Sequence, residues 1–132
     1  MSYDIKQRTV HKVVENDFGG GADTTTKILG ATGLRGHVAL VQIDKVTETF
    51  VGTTTGGGVY VGLTGNTDAY FASNLTQLKT SAPAVGVPVN LVDTLTGYNE
   101  IPADTEVYIT CIATVGGTVT GIADVTVYID WY

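Results

Sequence analysis

The sequence predicts an all-β chain folded as a single antiparallel β-sandwich over residues 1–132, and three observations predict it. There are 22 Thr and 18 Val, whose branched Cβ suits a pleated, half-buried surface. The 17 Gly gather in clusters, Gly19–Gly21, Gly56–Gly58 and Gly116–Gly117, as turns and loops between strands require. The last third of the chain alternates apolar and polar residues with a period of two.

That alternation is clearest from 106 to 115 and from 123 to 132. In the first stretch Val107, Ile109, Cys111, Ala113 and Val115 share one face. In the second Ala123, Val125, Val127, Ile129 and Trp131 do so, and the Gly/Thr link between them suggests an antiparallel hairpin. Residues 37–43 are apolar on both faces, as in a strand covered on both sides. Val59–Leu63 reads as a short strand with Gly56–Gly58 as a loop before it. Val85–Val92 reads as an edge or bent strand because Pro88 interrupts it. Arg8–Glu15 reads as a strand. Thr67–Lys79 reads as one short helical turn, with Thr67 or Asp68 as cap and Tyr70, Phe71 and Leu75 along it.

Charge narrows the partners. The net charge is -6, and charged residues are only 15% of the chain, against ~25% in an average soluble domain. Lys79 is the sole base after residue 66, beside seven acids. An acidic half repels phosphate, so no nucleic-acid partner is expected. No apolar run has the ~20 residues that a membrane helix needs, and the opening Met1–Lys6 lacks the apolar core of a secretory signal. Synthesis in a cytoplasm and no membrane partner are expected. Cys111, the one cysteine, rules out a disulfide within the chain and a cysteine-built zinc site.

Catalytic patterns do not emerge, so no enzyme, cofactor or metal is expected. His11 and His37 lie in strand-like segments with no nucleophile elbow beside them. Gly56–Gly58 lacks the following Lys-Ser/Thr of a phosphate loop. What stands out instead is the second face of the last two strands, where Tyr108, Ile112, Tyr128 and Tyr132 are too apolar for ordinary water-facing positions. Such a face is expected to be covered, by a further subunit or layer. Lys6, Arg8 and Lys12 complete the candidate interface, with residues 1–8 read as an extended arm able to dock on a partner.

The order Gly65–Ser73, Ala82–Pro88, Ile101–Thr110 and Gly117–Ile129, closing on Gly-Ile-Ala-Asp-Val-Thr-Val-Tyr-Ile, resembles the capsid decoration or cement proteins of tailed bacteriophages. The resemblance covers roughly residues 58–132 and is one of texture rather than of a diagnostic motif. It implies a jelly-roll-like sandwich, a homotrimer or related oligomer, and a place on the outside of the virion capsid, bound to the major capsid protein. Two rival readings accompany it. One is a carbohydrate-binding or host-attachment sandwich that stacks sugars on Tyr60, Tyr98 or Trp131; the other is a head–tail connector or tail component.

Overall fold

The computed structural model describes residues 4–19, 22–28, 30, 33–51, 55–73, 85–86, 88–97, 99–115 and 120–132. Their elements are β1 (Gln7–Asp17), β2 (Thr24–Ile28), β3 (Gly36–Val51), β4 (Thr55–Leu63), β5 (Asn66–Ala72), β6 (Val89–Leu91), β7 (Val107–Val115) and β8 (Thr120–Trp131). They form two four-stranded sheets, β1-β8-β3-β6 and β2-β7-β4-β5, with every neighbouring pair antiparallel. Only β4 and β5 follow one another within a sheet; every other link joins opposite sheets. That strand order is the jelly roll.

Inward side chains of both sheets make the core. β7 contributes Val107, Ile109, Cys111 and Ala113, and β8 contributes Ala123, Val125, Val127, Ile129 and Trp131, all buried as the alternation predicts. β3 adds Val38, Val41, Ile43, Val46 and Phe50. Its apolar run breaks period because a register shift lies between Val38 and Leu40. The shift lets Val38 and Val41 both point inward and leaves Leu40 opposite Tyr128 on the outer side.

Three expectations need correction. β7 and β8 are not a hairpin: each is a central strand, in opposite sheets, with their apolar faces turned to a common core. Alternation records one buried face per strand, and this is satisfied as well by stacking across a core as by pairing in one sheet. Their connection, residues 116–119, lies outside the described residues. The helical turn near 67–79 is also absent from residues 67–73. There the chain is β5, with Phe71 buried and paired to Val61, while residues 74–79 lie outside the described residues. Pairing with β4 overrides the local capping signal of Thr67 and Asp68. Finally, Gly56 and Gly58 are not in a loop but within β4, opposite Thr114 and Ile112. Between them Gly57 has φ +82, a value that favours glycine.

Both ends of β8 are fitted against glycine. Trp131 is 1% exposed, its ring lies on Gly36, and its Nε1–H donates to Thr9 Oγ1 at 2.7 Å. At the other end Gly121 has φ +149, and a Cβ there would stand 2.8 Å from the Phe50 ring. Phe50 in turn packs on Phe18, with centroids 5.3 Å apart.

Gly121→Ala is therefore strained in backbone and in packing, and should cost about 2 kcal/mol or more in urea unfolding. Gly65→Ala, where a Cβ meets nothing within 4 Å, should stay within about 0.5 kcal/mol. A second outcome concerns Cys111, whose thiol burial pushes up to about 12 against a weaker opposing hydrogen bond with Thr24. At pH 8 the folded protein should be inert to a thiol reagent, and the same reagent should label it at once in denaturant.

Candidate functional site

The candidate interface residues do not form one surface. Tyr108 and Ile112 face outward from β2-β7-β4-β5, whereas Arg8, Lys12 and Tyr128 face outward from β1-β8-β3-β6, on the far side of the sandwich. The registry of β1 and β3 on β8 arranges the second group in rows. Arg8, Asp130 and His37 form the first, Val10, Tyr128 and Leu40 the next, Lys12, Thr126 and Gln42 the third. Asp124 and Asp44 stand opposite each other in the last.

Charge in these rows is paired. Arg8 holds Asp130 by two hydrogen bonds, Nε to Oδ1 at 2.6 Å and Nη2 to Oδ2 at 2.9 Å. The bond from Arg8 holds the Asp130 carboxyl below its ordinary pKa, against a smaller opposing effect of burial. Lys12 Nζ stands 3.9 Å from both Asp44 and Asp124. Asp124 also accepts the Glu15 N–H at 2.8 Å, and the Thr126 hydroxyl donates to Asp44 at 3.2 Å. Lys6, Gln7 and Arg8, read from sequence as part of an arm, are held to the sheet. The Lys6 N–H donates to Trp131 O, and Gln7 and Arg8 belong to β1.

The outward face of β8 is covered, but by its own neighbours. Thr126 and Asp124 are buried although they point away from the core, because β1 and β3 lay Lys12, Gln42 and Asp44 beside them. Tyr128 is half-buried between Val10 and Leu40. β7 is shielded in the same way: Thr110 is 4% exposed between Thr25 and Tyr60, and Tyr108 and Ile112 are half-buried. On this face Lys27 Nζ meets Glu106 at 2.7 Å, and the Tyr108 hydroxyl donates to the same carboxylate at 3.3 Å. Burial raises the Tyr60 pKa, and Asp68 adds to it.

Tyr132 is engaged within the chain. Its hydroxyl donates to Glu100 at 2.6 Å, its ring has the Arg35 guanidinium 5.4 Å from the centroid, and its backbone exchanges hydrogen bonds with Arg35. Of the aromatic platforms a sugar would need, Trp131 is in the core and Tyr98 lies outside the described residues, which leaves Tyr60, half-buried. Among the described residues no three His, Cys, Asp or Glu converge as metal ligands would.

The exposed apolar surface lies elsewhere, at positions that the strand reading did not single out. Val10 and Val14 project from edge strand β1, with Ile5 just before it, and Val85 and Val92 flank β6. Val10, Val13 and Val14 give no apolar alternation because β1 carries valine on both faces: Val10 stands on the outer face opposite Tyr128, Val13 on the inner face opposite Val125, and Val14 is exposed. The inner side of β1 is held by a short polar chain. Thr9 Oγ1 accepts from Trp131 and lies 2.8 Å from His11 Nε2, so all three groups are satisfied when a neutral His11 ring accepts the Thr9 hydroxyl proton.

Burial lowers the His11 pKa below its ordinary 6.5. The unfolded chain binds this proton more readily, so the contribution of His11 is complete above about pH 6.5 and is lost as pH falls toward the depressed folded value. Urea midpoints measured from pH 7.5 to 5 should decline for the natural protein, and His11→Gln should flatten that decline.

Comparison with protein-family profiles, with characterised proteins and with solved structures finds no match to this chain.

Proposed function

We propose that the protein is a virion structural protein that binds the outer surface of a phage capsid and stabilises it, as a homo-oligomer and most simply as a trimer. The observation that carries this reading is the strand order β1-β8-β3-β6 over β2-β7-β4-β5. The eight-stranded jelly roll is a recurrent architecture of viral shell proteins and of lectins, so the support is an analogy of fold. Within that analogy the distribution of side chains favours the shell over the sugar. Trp131 is enclosed and unavailable for stacking, while among the described residues five large apolar side chains are exposed on and around the edges of one sheet.

A small sandwich stabilises a shell by bridging its subunits through several weak contacts whose combined avidity exceeds any one of them. The ion-paired outer faces suit that work, because Arg8–Asp130 and Lys27–Glu106 keep each sheet soluble without a partner. The carbohydrate-binding reading keeps one aromatic candidate among the described residues, Tyr60.

The test is co-sedimentation of the purified protein with undecorated shells of the phage that encodes it. Saturable pelleting and a higher disruption temperature of the loaded shells are expected. Protein left in the supernatant at every ratio would overturn the proposal, and saturable glycan binding lost in Tyr60→Ala would replace it with the sugar-binding reading.

A further inference from the structure

β1 falls into two parts. From Gln7 to Glu15 no residue is buried, and the inward side chains Thr9, His11 and Val13 are only half-buried. The β8 residues opposite them, Ile129, Val127 and Val125, are fully buried. Beyond Val13 the register on β8 shifts, and Glu15 has φ +50, a left-handed value. The chain is then anchored. Asn16 is buried and accepts the Thr24 hydroxyl at 2.7 Å, and the wholly buried Phe18 gives its N–H to Gly121 O. Few buried contacts and a single sheet neighbour make Gln7–Val13 a segment able to open on its own.

One polar chain holds the inner side of that segment. Trp131 Nε1–H donates to Thr9 Oγ1 at 2.7 Å, and Thr9 Oγ1 lies 2.8 Å from His11 Nε2. The threonine hydroxyl has a single proton. With neutral His11 that proton goes to the ring, and the oxygen stays free for the indole. Imidazolium is a donor at both nitrogens. Indole and ring then aim protons at the same oxygen, and the hydroxyl proton has lost its acceptor. The side chains alongside, Val13, Val127 and Ile129, offer no replacement.

We infer that Gln7–Val13 is an acid-released strap, freed from β8 when a proton on His11 turns this hydrogen-bond chain around. The release uncovers the Nε1 side of Trp131 and the backbone of β8, while the bulge and Phe18 keep the remainder of β1 in place.

Among the described residues no charged group faces His11 from the inside. β8 presents Val125, Val127 and Ile129 beside it, and the inward residues of β2, by their register on β7, are Thr24, Thr26 and Ile28. Burial therefore lowers the His11 pKa with no neighbouring carboxylate to offset it. The outer side carries Arg8 and Lys12 of β1, Asp124 and Asp130 of β8, and His37 and Asp44 of β3. Arg8 holds Asp130 below its ordinary range, so this pair stays charged from pH 7.5 to 5.5 and works against release. His37, the other histidine, is the control.

The inference is independent of any partner and is tested on the protein alone. Trp131 is the only tryptophan, so its indole N–H gives a single resonance. Hydrogen exchange at pH 7.5 and 5.5 gives protection factors for the indole and for the Gln7–Val13 amides that pair with β8, with β4 and β7 amides as the reference. Strap and indole should share one protection level, at least about tenfold below the reference at pH 5.5. An open strap that binds a proton at the ordinary 6.5 should lose protection severalfold between the two pH values, with about tenfold as the ceiling. His11→Gln, whose side-chain oxygen can take the Thr9 proton but no charge, should abolish that loss, and His37→Gln should leave it. In the natural protein the ring signals of His11 should titrate together with the indole's loss of protection, a readout that holds should His11→Gln not fold.

Strap amides as protected as the reference at pH 5.5 would overturn the inference, since β1 would then open only with the whole sandwich. So would a loss that persists in His11→Gln, or an indole that keeps its protection once His11 is protonated.

Discussion

The structure depends on β8 being hydrogen-bonded along both sides. β1 pairs with it from Gln7 opposite Trp131 to Asp17 opposite Ile122, and β3 pairs with it from Gly36 opposite Trp131 to Val51 opposite Thr120. Its inward residues supply one wall of the core along its whole length, from Ala123 to Trp131. Its ends are the points where other segments are tied down. Gly121 O accepts the Phe18 N–H at 2.8 Å, and Trp131 O accepts the Lys6 N–H at 2.7 Å. Loss of β8 would leave β1 without a partner in its sheet and β3 with β6 alone.

A central strand also settles the character of the outer faces. Side chains that look too apolar or too poorly charged for water, such as Thr126, Tyr128 and Thr110, are wholly or partly covered by neighbours from the strands on either side. The long stems of Lys12 and Arg8 lie over the sheet while their charged ends meet Asp44, Asp124 and Asp130. The basic ends stay open to water while the carboxylates are mostly covered, an arrangement that keeps the face polar and ordered. Apolar exposure is displaced to the margins, where an edge strand has a neighbour on one side only.

The class of fold was legible in the sequence because branched residues and period-two alternation report directly on strands. The buried faces of β7 and β8 were legible residue by residue. What alternation does not encode is which strand lies beside which, and so β7 and β8 were read as a pair although they lie in different sheets. β5 was misread because Thr67 and Asp68 carry a capping signal that pairing with β4 overrules. β2 was passed over, since three successive threonines show no alternation and only pairing with β7 makes them a strand. For the candidate surface, Tyr108, Ile112, Tyr128 and Tyr132 are half-buried, and neighbouring strands cover part of each. The exposed valines of β1 are hard to read because the strand carries valine on both faces, Val10 outward and Val13 inward, so no apolar alternation marks either face.

The pairing of β1 with β8 also has a consequence in time. Arg8 and Asp130 are 122 positions apart, so β1 leaves the ribosome on the order of ten seconds before its partner strand exists. Through that interval Val13, which packs on the core in the finished fold, has no sheet to cover it. Until β8 is made, β1 is a strand without its sheet partner, and association with other chains competes with folding over that time.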